Sequence, residues 1–290
     1  MIAEVPRRSR TLSAVRRAIR RNRAGSAAGL VLLVLVLGAA LAPWIAPEDP
    51  VTMSPLDRLR PPGDGGLLGG DLFGRDVLSR VLHGARISLI TGASSVTVSA
   101  IVGTALGVVA GYLGGWVEYV VMRVMDVLFA FPSVLLAILI VAVFEPGFTS
   151  IVIAIAIVYT PIFARVVRGS TLTLKHIEYV QAAVASGAPA SRVIRHHLLP
   201  NITAPILVQL TLSLSGAIIL EAALSFLGLG AVPPTPSLGS MLSENRVYME
   251  LAPWTVLYPG LTLAVLVFGI NLVGDAIRDL IDPRLRTEGS

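Results

Sequence analysis

The sequence predicts an all-α polytopic membrane protein: six transmembrane helices, with the N- and C-termini both cytoplasmic. Three observations carry this. The 290 residues are 54% hydrophobic and only 14% charged, with a mean hydropathy of +0.78, whereas soluble domains carry about 25% charged residues. The apolar residues gather into runs at roughly 25–46, 85–111, 124–144, 150–168, 203–228 and 254–275. Each is about the 20 residues that cross a hydrocarbon core as a helix, and helices satisfy their own backbone in lipid. Finally, the basic residues are unevenly shared among the connections, which orients the spans.

Six spans put both termini on one side. Eight arginines, Arg7 to Arg23, precede the first span, and Arg165, Arg168, Lys175, Arg192 and Arg195 cluster around the connection at 169–202. The first inter-span loop and the one at 229–253 are richer in acids, such as Glu48, Asp49, Asp71, Asp76, Glu244 and Glu250. The basic side is therefore cytoplasmic. The chain divides into a cytoplasmic arm (1–24), a first span (25–46), an extracytoplasmic loop (47–84), a five-helix core (85–275) containing the cytoplasmic loop 169–202, and a cytoplasmic tail (276–290). The arginine-rich start and Ala40-Leu41-Ala42 resemble a signal peptide and its cleavage site. The run is longer than such a segment, and five more spans follow, so it reads as an uncleaved anchor.

A pI near 10.1 raises nucleic-acid binding, but the arginines sit at span ends and in the arm rather than on a soluble domain, which excludes that class. Cysteine is absent, so disulfides, thiolate metal sites and a cysteine nucleophile are excluded.

The 47–84 loop is rich in Pro and Gly, which keep it irregular. Val77, Leu78, Val81 and Leu82 then recur at helical spacing. They predict a short amphipathic helix at the outer surface before the second span; a plain connector is the alternative. Ser95, Ser99, Gly103, Gly107 and Gly111 recur every four residues on one face of the second span, a stripe that lets another helix approach closely. Pro132 and Pro161 are expected to kink the third and fourth spans. Glu221 is the one acid well inside an apolar run, a candidate intramembrane functional residue; it could equally bond a neighbouring loop. Asp126 reads as a helix-end or interface charge. Trp254 and Tyr258 suit an interfacial aromatic belt.

Residues 178–200, EYVQAAVASGAPASRVIRHHLLP, are the most informative stretch. Ile177, Val180 and Val184 share one helical face. Ala182, Ala183 and Ser186 form a small-residue surface that another protein can approach. Gly187 suits a helix C-terminus, with Pro189 just beyond. A second short helix is expected from about Pro189, ending before Pro200. An amphipathic loop resting on the membrane is the plain alternative.

That stretch resembles the signature loop of ABC importer permeases: Glu-Ala-Ala, three residues, Gly, nine residues, Ile-x-Leu-Pro. Here Gln181-Ala182-Ala183, Gly187 and His197-Leu198-Leu199-Pro200 stand in that register. Gln181 replaces the pattern's Glu and His197 its Ile, leaving Glu178 as the acid available nearby. LAPWIAPEDP (41–50), LFGRDVLSRVLHGARISL (72–89), MDVLFAFPSVLLAI (125–138), LSFLGLGAVPPTPSLGSML (224–242) and GDAIRDLIDPRLR (274–286) are similar to the dipeptide/oligopeptide (peptide/nickel) importer permeases. The N-terminal extension and GRDVLSR resemble their C-type subunit. Before Asp71 this chain has Gly65 to Gly70, where the family tends to have a His and Leu-Gly-Thr, so no role of those residues carries over.

The resemblance implies the type I ABC importer permease fold. It also implies a membrane complex of this chain, a second homologous permease, two ATP-binding subunits and an extracytoplasmic substrate-binding protein, in a prokaryotic cytoplasmic membrane. ATP and Mg would belong to the partner subunits. This chain has no G-x-x-x-x-G-K-[ST] phosphate loop, and its only lysine is Lys175. The implied ATPase-coupling residues are Glu178, Tyr179, Gln181, Ala182, Ala183, Ser186 and Gly187. The substrate stays open among dipeptides, longer peptides, nickel chelates and other small solutes. The rival reading is an ion-gradient-driven secondary transporter or channel, but such proteins place ionisable groups mid-span and often show paired broken helices. Here only Glu221 qualifies, and no internal repeat is visible. A membrane enzyme is disfavoured: His83, His176, His196 and His197 form no H-E-x-x-H, and adjacent His196 and His197 point apart on a helix.

Overall fold

The computed structural model describes residues 23–64 and 66–281. Most of the arginine-rich arm and of the C-terminal tail, with Pro283, Arg284 and Arg286 of GDAIRDLIDPRLR, lies outside the described residues. Every regular element among the described residues is helical.

Helix α1 spans Arg23–Ala40, and α2, Ala42–Ile45, follows after Leu41, with Pro43 in its first turn. Among the described residues, four longer helices are long and apolar enough to cross a membrane. They are α3 (Val77–Leu113), α6 (Phe148–Lys175), the run that ends as α9 (Leu199–Phe226), and α11 (Trp254–Ile281). Between α3 and α6 lie α4 (Gly115–Ala130) and α5 (Ser133–Val143), related by a 98° bend.

The single kinked span expected over 124–144 is therefore two helices. Pro132 caps α5 in an extended conformation, φ −55° and ψ 129°, and has no N–H with which to continue α4. At 11 residues, α5 is about 16 Å long, too short to cross a hydrocarbon core alone. Pro161 behaves differently. It is buried inside α6, which runs through it unbroken.

The segment at 77–84 is helical, as its spacing predicts, but it is not a separate surface helix. Asp76 caps it, accepting from the Ser79 N–H at 2.7 Å and the Ser79 hydroxyl at 2.6 Å, and α3 then continues without a break to Leu113. With Val77 buried and Val81 nearly so beside Met241, Trp254 and Tyr258, nothing in that stretch forces a turn.

The core forms around α3, α6 and α9. One apolar cluster joins Val96, Ala137, Ile155, Phe163, Ala217 and Leu224. A second seats α1 and α11 against α3 and α9 through Leu32, Ala85, Ile218 and Leu266. Leu30, Val31, Leu33, Val34 and Leu37 on α1 stay exposed, a surface a water-soluble protein would cover. A Cβ on Gly29 would lie 3.9 Å from Val273, and one on Gly38 would lie 3.5 Å from Leu82. A Cβ on Gly269 would lie 2.9 Å from Leu32 Cβ, so α1 runs antiparallel to α11.

The small-residue stripe lies against α6. Ser99 donates to the Ala156 carbonyl at 3.0 Å. A Cβ on Gly103 would come within 2.5 Å of Phe163 Cβ and 2.8 Å of the Thr160 carbonyl; one on Gly107 would meet the Ala164 carbonyl at 2.5 Å. The helices touch backbone to side chain, and only residues without a Cβ permit that spacing.

Candidate functional site

Helix α7, Glu178–Ala185, follows α6 after two residues. Gly187 ends it in the left-handed region, φ +80°, with its N–H bonded to the Val184 carbonyl at 2.9 Å and that of Ala188 to Ala183 at 3.1 Å. A side chain here would be strained, although a Cβ would meet nothing within 4 Å. Pro189 then caps α8, Ala190–Val193. The expected helix, sharp turn and second helix are all present.

The second helix does not stop before Pro200. It widens into one π-type turn at Ile194–Leu198, where the Leu199 N–H bonds back to the Ile194 carbonyl, and continues as α9. Pro200 cannot donate to the carbonyl four residues back, and the widened turn re-routes the ladder instead of ending it.

What holds the hairpin is a small apolar core: Val180, Val193 and Leu198, packed with Tyr112, Leu174 and Ile194. Of the three residues expected on one apolar face of α7, only Val180 is buried; Ile177 and Val184 are exposed. Lys175, in the last turn of α6, donates to the Tyr112 carbonyl at 2.7 Å, tying the hairpin base to the end of α3. The outer face carries Glu178, Tyr179, Gln181, Ala182, Ser186 and Gly187, all exposed, with Ala183 half-buried. The Tyr179 ring leans on His197, centroids 6.0 Å apart, and Gln181 reaches only the His176 carbonyl, at 3.4 Å. The face is thus small-residue and apolar at its centre, with its one carboxylate, Glu178, at the start of α7.

Beside this hairpin, α4 is bound to α6 by two ion pairs, Arg165 with Asp126 at 2.7 Å and Arg168 with Glu118. Asp126 is thereby the interface charge it was expected to be, and it also lines a cleft with Arg123 and Tyr119.

The opposite end of the bundle holds an ion network that the sequence pattern did not show, although Asp71 and Glu244 stood out there as loop acids. Asp71 is buried and accepts from the N–H groups of Phe73 and Arg75 and from Arg75 Nε, the last at 2.6 Å. Glu244, on α10 (Leu238–Asn245), accepts from Arg75 at 2.7 Å and from the fully buried Arg80 at 3.1 Å. Arg80 also donates to the Pro50 carbonyl at 3.2 Å, and Trp254 donates to the Gly70 carbonyl at 3.2 Å. These contacts turn the Pro/Gly-rich 47–76 segment into a fixed cap. The signal lay in Asp71, Arg75 and Arg80, charged residues too closely spaced beside a helix start to stay solvated together.

Glu221 lies near the end of α9 in this same half and is 1% exposed. One carboxyl oxygen accepts from the Ser225 hydroxyl at 2.7 Å.

An all-helical membrane bundle with an exposed helical hairpin projecting from one end and a folded cap at the other is the architecture of a transport-system permease. The chain belongs to the family described as binding-protein-dependent transport system inner membrane components, which it matches over residues 103–287. Residues 11–62 match the N-terminal TM domain of oligopeptide transport permease C. It is 47% identical over 269 residues to the di/tripeptide transport system permease protein DppC of Pseudomonas aeruginosa, covering 90% of this chain and 89% of that one. Against the dipeptide transport system permease protein DppC of Alkalihalophilus pseudofirmus it is 43% identical, covering 93% and 88%. Against the glutathione transport system permease protein GsiD of Pectobacterium atrosepticum it is 43% identical, covering 92% and 89%. In fold it is similar to a chain of the MetNI methionine ABC transporter in an inward-facing conformation, with a TM-score of 0.58 at 18% identity over 70% of this chain and 96% of that one.

Proposed function

We propose that this chain is the C-type permease subunit of an ATP-driven peptide importer in a bacterial cytoplasmic membrane. It forms half of the translocation pathway and takes its energy from a separate ATPase through the α7–α8 hairpin. The single observation that carries this is the hairpin itself. An exposed small-residue face on a rigid two-helix projection, rooted on three of the longest apolar helices, fits a cleft in a partner and transmits that partner's movement to the bundle. Six membrane passes follow if α1 and the bent α4–α5 pair each count as one, with residues 23 and 281 and the hairpin all cytoplasmic. The arginine distribution supports that orientation. The peptide substrate is supported by the names of the DppC relatives. A second permease, two ATP-binding subunits with ATP and Mg, and an external binding protein complete the proposed complex.

The test is purification of this chain from its native membrane, followed by reconstitution. ATPase subunits should co-purify, and hydrolysis should rise with peptide-loaded binding protein. A chain that purifies without any ATPase and moves solute on an ion gradient alone would refute the proposal.

A further inference from the structure

At the end of the bundle opposite the hairpin, α3, α6, α9 and the loop after α9 enclose a cavity of about 220 Å³. Its walls include Ile87, Phe148 and Ile151, with Thr91, Thr235 and Glu221 supplying the polar surface. The second oxygen of Glu221 has no hydrogen-bond partner among the described residues. The Ser88 side chain stands against the same carboxyl, and its hydroxyl likewise has no other hydrogen-bond partner among the described residues. A buried carboxyl oxygen left bare is costly, and an opening beside it is where a donor would enter. No Lys, Arg or His lines the cavity. It therefore presents acceptors and apolar walls, complementary to a positive N–H donor carried on an apolar body and repellent to an anion.

We propose that this cavity receives the free amino terminus of a peptide in transit, with Glu221 accepting a charge-assisted hydrogen bond from the ammonium. Ile87, Phe148 and Ile151 would hold the first side chain. The proposal rests on the peptide-import reading and adds a polarity to it: the amino end engages this subunit.

The chain has no cysteine, so Val232→Cys, at the rim of the cavity and half exposed, gives it a single thiol. The rate of thiol labelling of this chain is measured in the assembled complex, without binding protein, and the subunits are then separated. The probes are a dipeptide methyl ester, whose amino terminus is free, and the N-acetyl dipeptide, whose carboxylate is free. The ester should slow labelling severalfold and the N-acetyl form should not. Adding Glu221→Gln should abolish the ester's protection. Equal protection by both probes, none by either, or protection that survives Glu221→Gln would overturn the site. If Glu221→Gln fails to assemble, Thr91→Val gives the second reading and should weaken the same protection; unchanged protection there counts against the site. Peptide-stimulated ATP hydrolysis by the complex carrying the unsubstituted chain separates the two failures: stimulation without protection removes the site and leaves the importer reading standing, whereas no stimulation removes both.

Discussion

Arg75 donates to Glu244 at 2.7 Å although 169 positions separate them in the chain. The bond joins the segment that precedes α3 to the helix that follows α9. Because Arg80 leans on the same carboxylate oxygen at 3.1 Å, one acid on α10 balances two buried guanidinium groups, with Asp71 supplying the rest. A carboxylate so placed organises an entire end of the molecule.

Removing Glu244 should therefore loosen the cap. Glu244→Ala leaves Arg75 and Arg80 with too few acceptors in a buried place, and we expect a loss of about 2–3 kcal/mol. This is below the full cost of breaking a buried pair because the Glu244 side chain is 29% exposed. The unfolding midpoint in detergent should fall, and cleavage by trypsin at the exposed Arg58 should speed up. Glu250→Ala, at an exposed acid nearby, is the control and should change the midpoint little.

The α3–α6 contact should not tolerate side chains. Gly103→Ala and Gly107→Ala each drive a methyl group into backbone or Cβ atoms of α6, with an expected cost of about 1–3 kcal/mol apiece. Gly169→Ala, also helical but with nothing within 4 Å of the new Cβ, should be neutral or slightly stabilising. Equal behaviour of the three variants, measured as yield of folded protein and melting temperature, would contradict the packing described.

Gly187→Arg should uncouple ATP hydrolysis from transport while leaving membrane insertion intact. The chain itself has room for the side chain, so the expected intrinsic cost is conformational, about 1 kcal/mol. The larger effect comes from the partner that approaches this face. Gly187→Asn, which accepts the left-handed backbone more readily, should retain more coupled activity. Normal uptake by the arginine variant in proteoliposomes would sink the docking role of the hairpin.

Leu198→Ala should act differently from any change on the outer face. It empties the core that seats α7 and α8, at a cost of about 2–4 kcal/mol. Amide hydrogen exchange in 178–193 should accelerate, and hydrolysis should persist with poor transport. Protection unchanged from wild type would show that the hairpin is held some other way.

The class of the protein, its four long apolar helices, the stripe from Ser95 to Gly111 and the helix-turn-helix at 178–193 were legible in the sequence. Each rests on local information: a hydrophobic run long enough to span, a four-residue repeat, a glycine followed by a proline. The tertiary structure alone decided the rest. Pro132 separates two helices at 98° while Pro161 passes inside one, because what a proline does to a helix depends on what packs around the carbonyl it frees. Pro200 extends its helix through a wide turn for the same reason. Val180 is buried and Val184 is not, since the hairpin folds back over only one turn of α7. The bond between Arg75 and Glu244 has no trace in any local pattern; the bundle brings those residues together, and burial then makes each need the other.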